Sequence, residues 1–106
     1  MNKISLHELS REIDKPWFPM DVASFNNSVM RMAKIEGDFV WHKHDNSDEV
    51  FLVFHGEFTL HAKEKDFSLK GGECIVVPKG VLHCPRTVSS AIVLLFELKE
   101  TKQYGD

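Results

Sequence analysis

The period of the apolar positions changes about twenty residues into the chain. Leu6, Leu9 and Ile13 recur at helical spacing. Ser5 and Glu8 ahead of them form the Ser-x-x-Glu pattern of a capping box, and Pro16 stops the run, so a short N-terminal helical turn is expected over 5–13. From Met20 onward, short apolar runs are separated by Asn26-Asn27, Glu36-Gly37, His55-Gly56, Lys63 to Asp66, Gly71-Gly72 and Pro78-Lys79-Gly80. This punctuation predicts strands near 20–25, 28–36, 38–43, 49–55, 57–62, 66–70, 73–77, 82–87 and 91–97, an all-β sandwich or barrel. Pro78 with Gly80 suits a tight turn with proline at its second position. The polar segment from Thr101 to Asp106 is expected to fray.

The run from Glu49 to Ala62 fixes which side chains face inward. Read as a two-residue hairpin at His55-Gly56, it pairs Phe54 with Glu57, Val53 with Phe58, Phe51 with Leu60 and Glu49 with Ala62. Glu49, Phe51, Val53, Phe58, Leu60 and Ala62 then share one inner face, and Glu57, Thr59 and His61 fall on the other. A bulge at Gly56 would shift this pairing by one. A carboxylate at the head of the apolar run Val50 to Phe54 requires a compensating partner, which a metal ion would supply.

His42 and His44 are the first chemical signal. Residues two apart on a strand project from one face and can grip a single ion together, with Lys43 and Trp41 pointing away, Trp41 to pack. Glu49 follows five residues later. His83 stands where a strand re-enters after the Pro78-Lys79-Gly80 turn; taken singly it reads as a surface or hydrogen-bonded residue, and the upstream cluster makes it a candidate ligand. His55 would lie about 20 Å from Glu49 at a hairpin tip. His61 faces the wrong side, and His7 has no companions and is expected to be solvent-exposed.

Bulk properties narrow the function classes. The 106 residues, 42% hydrophobic, suit one domain spanning 1–106 with a modest core. A net charge of -3 with scattered Lys and Arg gives no footprint for nucleic acid or an anionic membrane, so a small molecule or a protein surface is the expected partner. The N-terminal segment lacks the apolar core of a signal peptide and no run is long enough to span a bilayer, which makes the cytoplasm the expected location. Cys74 and Cys84 lack a CxxC spacing and read as two buried reduced thiols.

These residues form a joint pattern that resembles the cupins. Gly37, His42, His44, Glu49 and Gly56 follow the first cupin motif, Gly, HxH, Glu and Gly, with the Gly37 to His42 spacing short by one. Gly72, Pro78, Gly80 and His83 follow the second, and Thr87 stands where that motif has Asn. The motifs span 37–56 and 72–87, about half the chain. The resemblance implies a double-stranded β-helix, or jelly-roll barrel, in which His42, His44, Glu49 and His83 hold one divalent transition-metal ion. Three imidazoles and a carboxylate accept Fe, Mn, Ni, Co or Zn.

An octahedral ion would keep two open positions, whereas a tetrahedral zinc would be closed by the four residues. Three function classes follow. One is a metal-dependent dioxygenase or isomerase acting on a small polar metabolite. Another is a non-catalytic small-molecule binder, which would suit the lack of any Asp, Glu or Lys assignable as a general base. The last is a structural metal site in a protein-association module. A pocket lined by Phe51, Val53, Phe58, Leu60 and Phe96 would favour a small, partly apolar ligand, although a domain this size needs most of its aromatic residues as core, and core is the favoured reading of these residues. The chain has no phosphate-binding cluster of Arg and Lys, which counts against sugar-phosphate isomerisation. Val50, Leu52 and Phe54 are predicted to face outward, and the run Ala91 to Phe96 is apolar on both faces. Either a second subunit, giving a homodimer, or the segment with Trp17, Phe18 and Met20 would cover them.

Overall fold

A computed structural model describes residues 1–106. One short helix, α1 (Leu6–Glu12), precedes six strands: β1 (Met20–Phe25), β2 (Ser28–Asp38), β3 (Glu49–Ala62), β4 (Asp66–Lys70), β5 (Cys74–Val77) and β6 (His83–Leu98). The strands form one antiparallel sheet in the order β1-β2-β6-β3-β4, with β5 pairing the first part of β3. No helix is long and apolar enough to cross a membrane.

The helix begins as its sequence dictates, with the Ser5 hydroxyl accepting the Glu8 amide at 3.2 Å. Seven residues cannot sustain a helix alone, so it depends on the sheet beneath it. Its His7 ring lies 5.1 Å from the ring of Phe54 on the outward face of β3, while His7 itself stays exposed. Trp17 takes a different course from that expected for a cover of this face. It turns into the mouth of the barrel, stacks on Phe39 at 4.7 Å and donates its indole N–H to the Glu36 carbonyl at 2.8 Å, leaving Phe18 exposed.

The expected hairpin at His55-Gly56 does not form. β3 runs straight through these residues and pairs along both halves with β6, and register shifts occur between Val53 and His55 and between Gly56 and Thr59. Gly56 adopts φ +86°, and a Cβ there would lie 2.4 Å from the Ser90 carbonyl oxygen, so the chain kinks against β6 instead of reversing. The irregularity changes side-chain parity just as a two-residue turn would. Glu49, Phe51, Val53, Phe58 and Leu60 are therefore all buried, while Glu57 and Thr59 face outward.

Two further predicted boundaries move for related reasons. The strands expected at 82–87 and 91–97 are one strand, β6, which loops out Val88 and Ser89 where the β2 pairing jumps from Glu36–Ser90 to Gly37–Thr87. The strand expected at 38–43 is a loop after β2 that reaches β6 through Phe39, whose amide donates to Pro85, and through a bridge between His42 and His83. The Val81 amide returns to the Pro78 carbonyl at 3.2 Å, which places Pro78 at the first turn position.

The main core cluster fills the inside of the sheet with Ala33, Ile35, Phe51, Val53, Phe58, Leu60, Leu69, Val77, Ala91 and Val93. On β5, Ile75 and Val77 point inward, so Cys74 is exposed rather than buried; Cys84 is buried, and both thiols are free. The segment after β6 is not frayed, because Arg31 binds the carbonyls of Lys99 and Thr101 at 2.9 and 3.1 Å and holds it along the barrel mouth.

Candidate metal centre

The four ligand candidates come from three places that the fold joins. His42 and His44 lie on the loop after β2, Glu49 is the first residue of β3, and His83 is the first residue of β6. His42 and His83 exchange both main-chain hydrogen bonds, at 3.0 and 2.9 Å. The Pro78–Val81 turn is tied to the same loop: the Gly80 amide donates to the His44 carbonyl at 2.8 Å and the Lys79 amide to the Asp48 carboxylate at 2.9 Å. These links bring together residues 31 to 41 positions apart in the sequence.

All four side chains are buried, and one nitrogen or oxygen from each lies within 4.8 Å of the others. Oε1 of Glu49 is 3.4 Å from Nε2 of His44 and 3.4 Å from Nε2 of His83. Nδ1 of His42 contacts the Val40 carbonyl at 2.9 Å, and Nδ1 of His83 the Val81 carbonyl at 2.9 Å. A carbonyl partner requires the hydrogen on Nδ1, which leaves Nε2 of each ring with a free lone pair, the orientation that metal-ligating histidines adopt.

The polar inventory of the cluster does not close without a further group. Both ring nitrogens of His44, Nε2 of His83 and Oε1 of Glu49 are buried without a hydrogen-bond partner. Burying such atoms unpaired is costly, and a divalent ion would satisfy Nε2 of His44, Nε2 of His83 and Oε1 of Glu49 together. Burial also pushes His42 below the usual histidine range, with the charges of His83 and His44 acting in the same direction, so its ring is neutral and able to ligate. Burial alone would raise the Glu49 carboxyl. The neighbouring His44 and His83 imidazoles, each 3.4 Å from Oε1, and the Glu97 carboxyl more than offset this and hold it below the usual carboxylate range. The donor set fits an ion such as Fe, Mn, Ni, Co or Zn.

His42 and Glu49 also line a cavity of about 280 Å³ inside the barrel. Its apolar wall includes Ala33, Ile35, Phe51, Val93 and Leu95, with Trp17 and Phe39 at the mouth. Of the residues expected to line it, Phe51 does so; Val53, Phe58 and Leu60 are core, and Phe96 faces the other side of β6. Thr87 bonds the Glu57 carbonyl at 2.9 Å, away from the cavity lining. His61 pairs with Asp66 at 2.7 Å on the outer face, His55 is exposed, and Trp41, expected to pack, is 48% exposed.

Glu97 is the residue that sequence reasoning missed. It is buried beside Glu49, and Arg31 reaches its carboxylate at 3.3 Å. Burial raises its carboxyl well above the usual range and the neighbouring Glu49 charge raises it further, against the opposing pull of Arg31, so the two glutamates share one proton. Its signal was available in the sequence: Glu97 has the parity of Ala91, Val93 and Leu95 in an otherwise apolar strand, the same anomaly that marked Glu49.

A family model described as a cupin domain matches residues 28–98. Among solved structures, a cupin-2 domain containing protein from Shewanella frigidimarina NCIMB 400 is 31% identical, covering 91% of this chain and 94% of its own, with a TM-score of 0.88. Protein NMB1881 from Neisseria meningitidis is 28% identical, covering 92% of this chain and 100% of its own, with a TM-score of 0.85. The uncharacterized protein YdbB of Bacillus subtilis (strain 168) is 28% identical over 99 residues, 92% of this chain and 88% of its own.

Proposed function

The chain belongs to the cupin family, and from that premise we propose that it is a metal-dependent enzyme for a small polar metabolite. In this reading His42, His44, Glu49 and His83 hold one divalent transition-metal ion, and the adjoining cavity holds the substrate. The observation that carries it is the buried cluster whose His44, His83 and Glu49 atoms lack hydrogen-bond partners, set in the wall of a cavity that His42 and Glu49 share.

A bound ion would supply Lewis acidity and open coordination positions, which suit a dioxygenase or an isomerase. The rest is the work of the chain. Ala33, Ile35, Phe51, Val93 and Leu95 give the cavity an apolar wall that matches the apolar part of a small ligand. Glu97 gives the cavity a polar end, with a carboxyl able to give or accept a hydrogen bond, and so supplies the acid–base group that sequence reasoning did not find. Arg31 is already committed to Asp21, Glu97 and the carbonyls of Lys99 and Thr101, which leaves no free guanidinium to clamp a phosphate. The substrate class is accordingly a small metabolite without a phosphate.

Metal analysis by plasma mass spectrometry on untagged protein, beside a His42→Ala/His83→Ala double variant, tests the reading. Near-stoichiometric metal in the wild type and its loss from the double variant are expected, and iron would direct the substrate screen to oxygen uptake. A wild type that stays metal-free after reconstitution with Fe, Mn, Ni, Co and Zn in turn would overturn it.

A homodimer in the cytoplasm belongs to the same reading. Val76 of β5 is 56% exposed beside Val50 of β3, an apolar strip that α1 leaves open to a second copy. Two free thiols suit a reducing compartment. A monomer mass by gel filtration at micromolar concentration would remove the dimer.

A further inference from the structure

Lys43 stands between two of the four ligand candidates, and its backbone is gripped from outside the loop. The Asp106 amide donates to the Lys43 carbonyl at 3.0 Å, and the Asp106 carboxylate accepts the Asp45 amide at 2.7 Å. Gly105 sits so close that a Cβ on it would lie 2.4 Å from the Lys43 carbonyl oxygen and 3.0 Å from Cβ of His42, with φ at +83°. Only a residue without a side chain reaches that position unstrained.

The gripping segment is itself anchored at every step. Arg31 binds the Lys99 and Thr101 carbonyls, the Gln103 side-chain amide donates to the Trp17 carbonyl, and the Tyr104 ring stacks on Phe39 at 5.0 Å. A turn bond from the Gly105 amide to the Lys102 carbonyl, at 3.1 Å, then aims Gly105 and Asp106 at the loop. Residues 43–45 need such support because their own ties to the sheet are few: the His42–His83 bridge precedes them, and the His44 carbonyl takes one bond from Gly80. Ligand geometry is set by the groups that hold the ligands, and a loop carrying two imidazoles is no more rigid than its main chain.

We propose that Gly105 and Asp106 are positioning residues of the metal centre, fixing the placement of His42 and His44 through the main chain of Lys43–Asp45. The proposal rests on the reading that the four-residue cluster takes an ion. It assigns to a polar segment far from the cupin motifs an indirect part, through the main chain, in the affinity of the site.

Asp106→Ala, Asp106→Asn and Gly105→Ala test it in the full chain. Two measurements are made: Co(II) titration followed by visible absorption, and amide hydrogen exchange of the metal-free protein. Asp106→Ala and Gly105→Ala are each expected to weaken cobalt binding about tenfold or more, the scale seen when groups that orient metal ligands are lost. Asp106→Ala should also speed exchange at the Asp45 amide while sheet amides stay protected, and Asp106→Asn, which keeps an acceptor oxygen, should restore both. Wild-type cobalt affinity in both alanine variants, or a loss of protection spread over the whole sheet without rescue by Asn, would overturn the proposal. If the wild type itself takes no cobalt, the metal reading fails. The grip is then judged by exchange alone, where an unchanged Asp45 amide in Asp106→Ala overturns it and a faster, Asn-rescued one supports it.

Discussion

His42 and His83 are joined through their main chains, each amide donating to the other's carbonyl, and this pair sets their imidazoles 4.3 Å apart. The link belongs to the fold and not to the side chains. The backbone that presents the two rings therefore survives the removal of either.

His83→Ala and His44→Ala should accordingly lose metal while keeping the far-ultraviolet circular dichroism of the wild type. His61→Ala should keep its metal, because its ring pairs with Asp66 on the outer face. Metal content of the three purified variants decides the point. A His61→Ala protein depleted of metal would mean that the ligand set is wrong.

Much of the centre was legible in the sequence because side-chain parity is a local property. Glu49, Phe51 and Val53 alternate inward whatever β3 pairs with, and Gly56 reverses the parity whether it turns the chain or kinks it. What the strand pairs with is not local. A Gly after a short apolar run is compatible with a hairpin and with a bulge, and the choice falls to β6, whose Ser90 and Ala91 pack directly against Gly56. The hold on residues 101–106 was hidden for the same reason, since its anchors Arg31, Trp17 and Phe39 are some sixty or more positions away and a polar segment carries no period of its own. Glu97 had a readable signal, a buried-parity carboxylate, but its partner Arg31 is on another strand.

Gly56→Ala tests the kink. The new methyl would meet the Ser90 carbonyl oxygen at 2.4 Å, and the backbone sits at φ +86°, so both the residue and its neighbour must move. Backbone strain of this kind costs about 1–3 kcal/mol, and the clash adds to it. Urea unfolding should show a loss at the top of that range or above it, and a change under about 0.5 kcal/mol, typical of neutral surface sites, would contradict the packing described.

Phe51→Ala removes a ring that is 4% exposed, packs 5.6 Å from Phe58 and also lines the cavity. A core phenylalanine truncated in this way costs about 3–5 kcal/mol, and the open side toward the cavity places the expected value at the low end. The same variant should enlarge the cavity without touching the four candidate ligands, so its cobalt content should match the wild type even as its midpoint in urea falls.

Glu97→Gln tests the shared proton between the two glutamates, in protein stripped of metal. Burial and the Glu49 charge raise the Glu97 carboxyl from 4.5 to about 9 in the folded chain. A group whose folded value lies above its unfolded value stabilises the fold fully below the unfolded value, and this contribution is lost as pH rises toward the folded one. Wild-type stability should therefore decline relative to Glu97→Gln as pH climbs from about 4.5 to about 9. Gln keeps a hydrogen-bonding amide near Glu49 but cannot ionise, so its own stability lacks this slope. Glu49, held below the usual range, stays ionised in both proteins across that window and cancels in the comparison. Unfolding free energies from urea titrations at intervals of one pH unit give the difference directly. A difference that stays flat across the window would mean that Glu97 is ionised in the fold, with Arg31 alone balancing its charge.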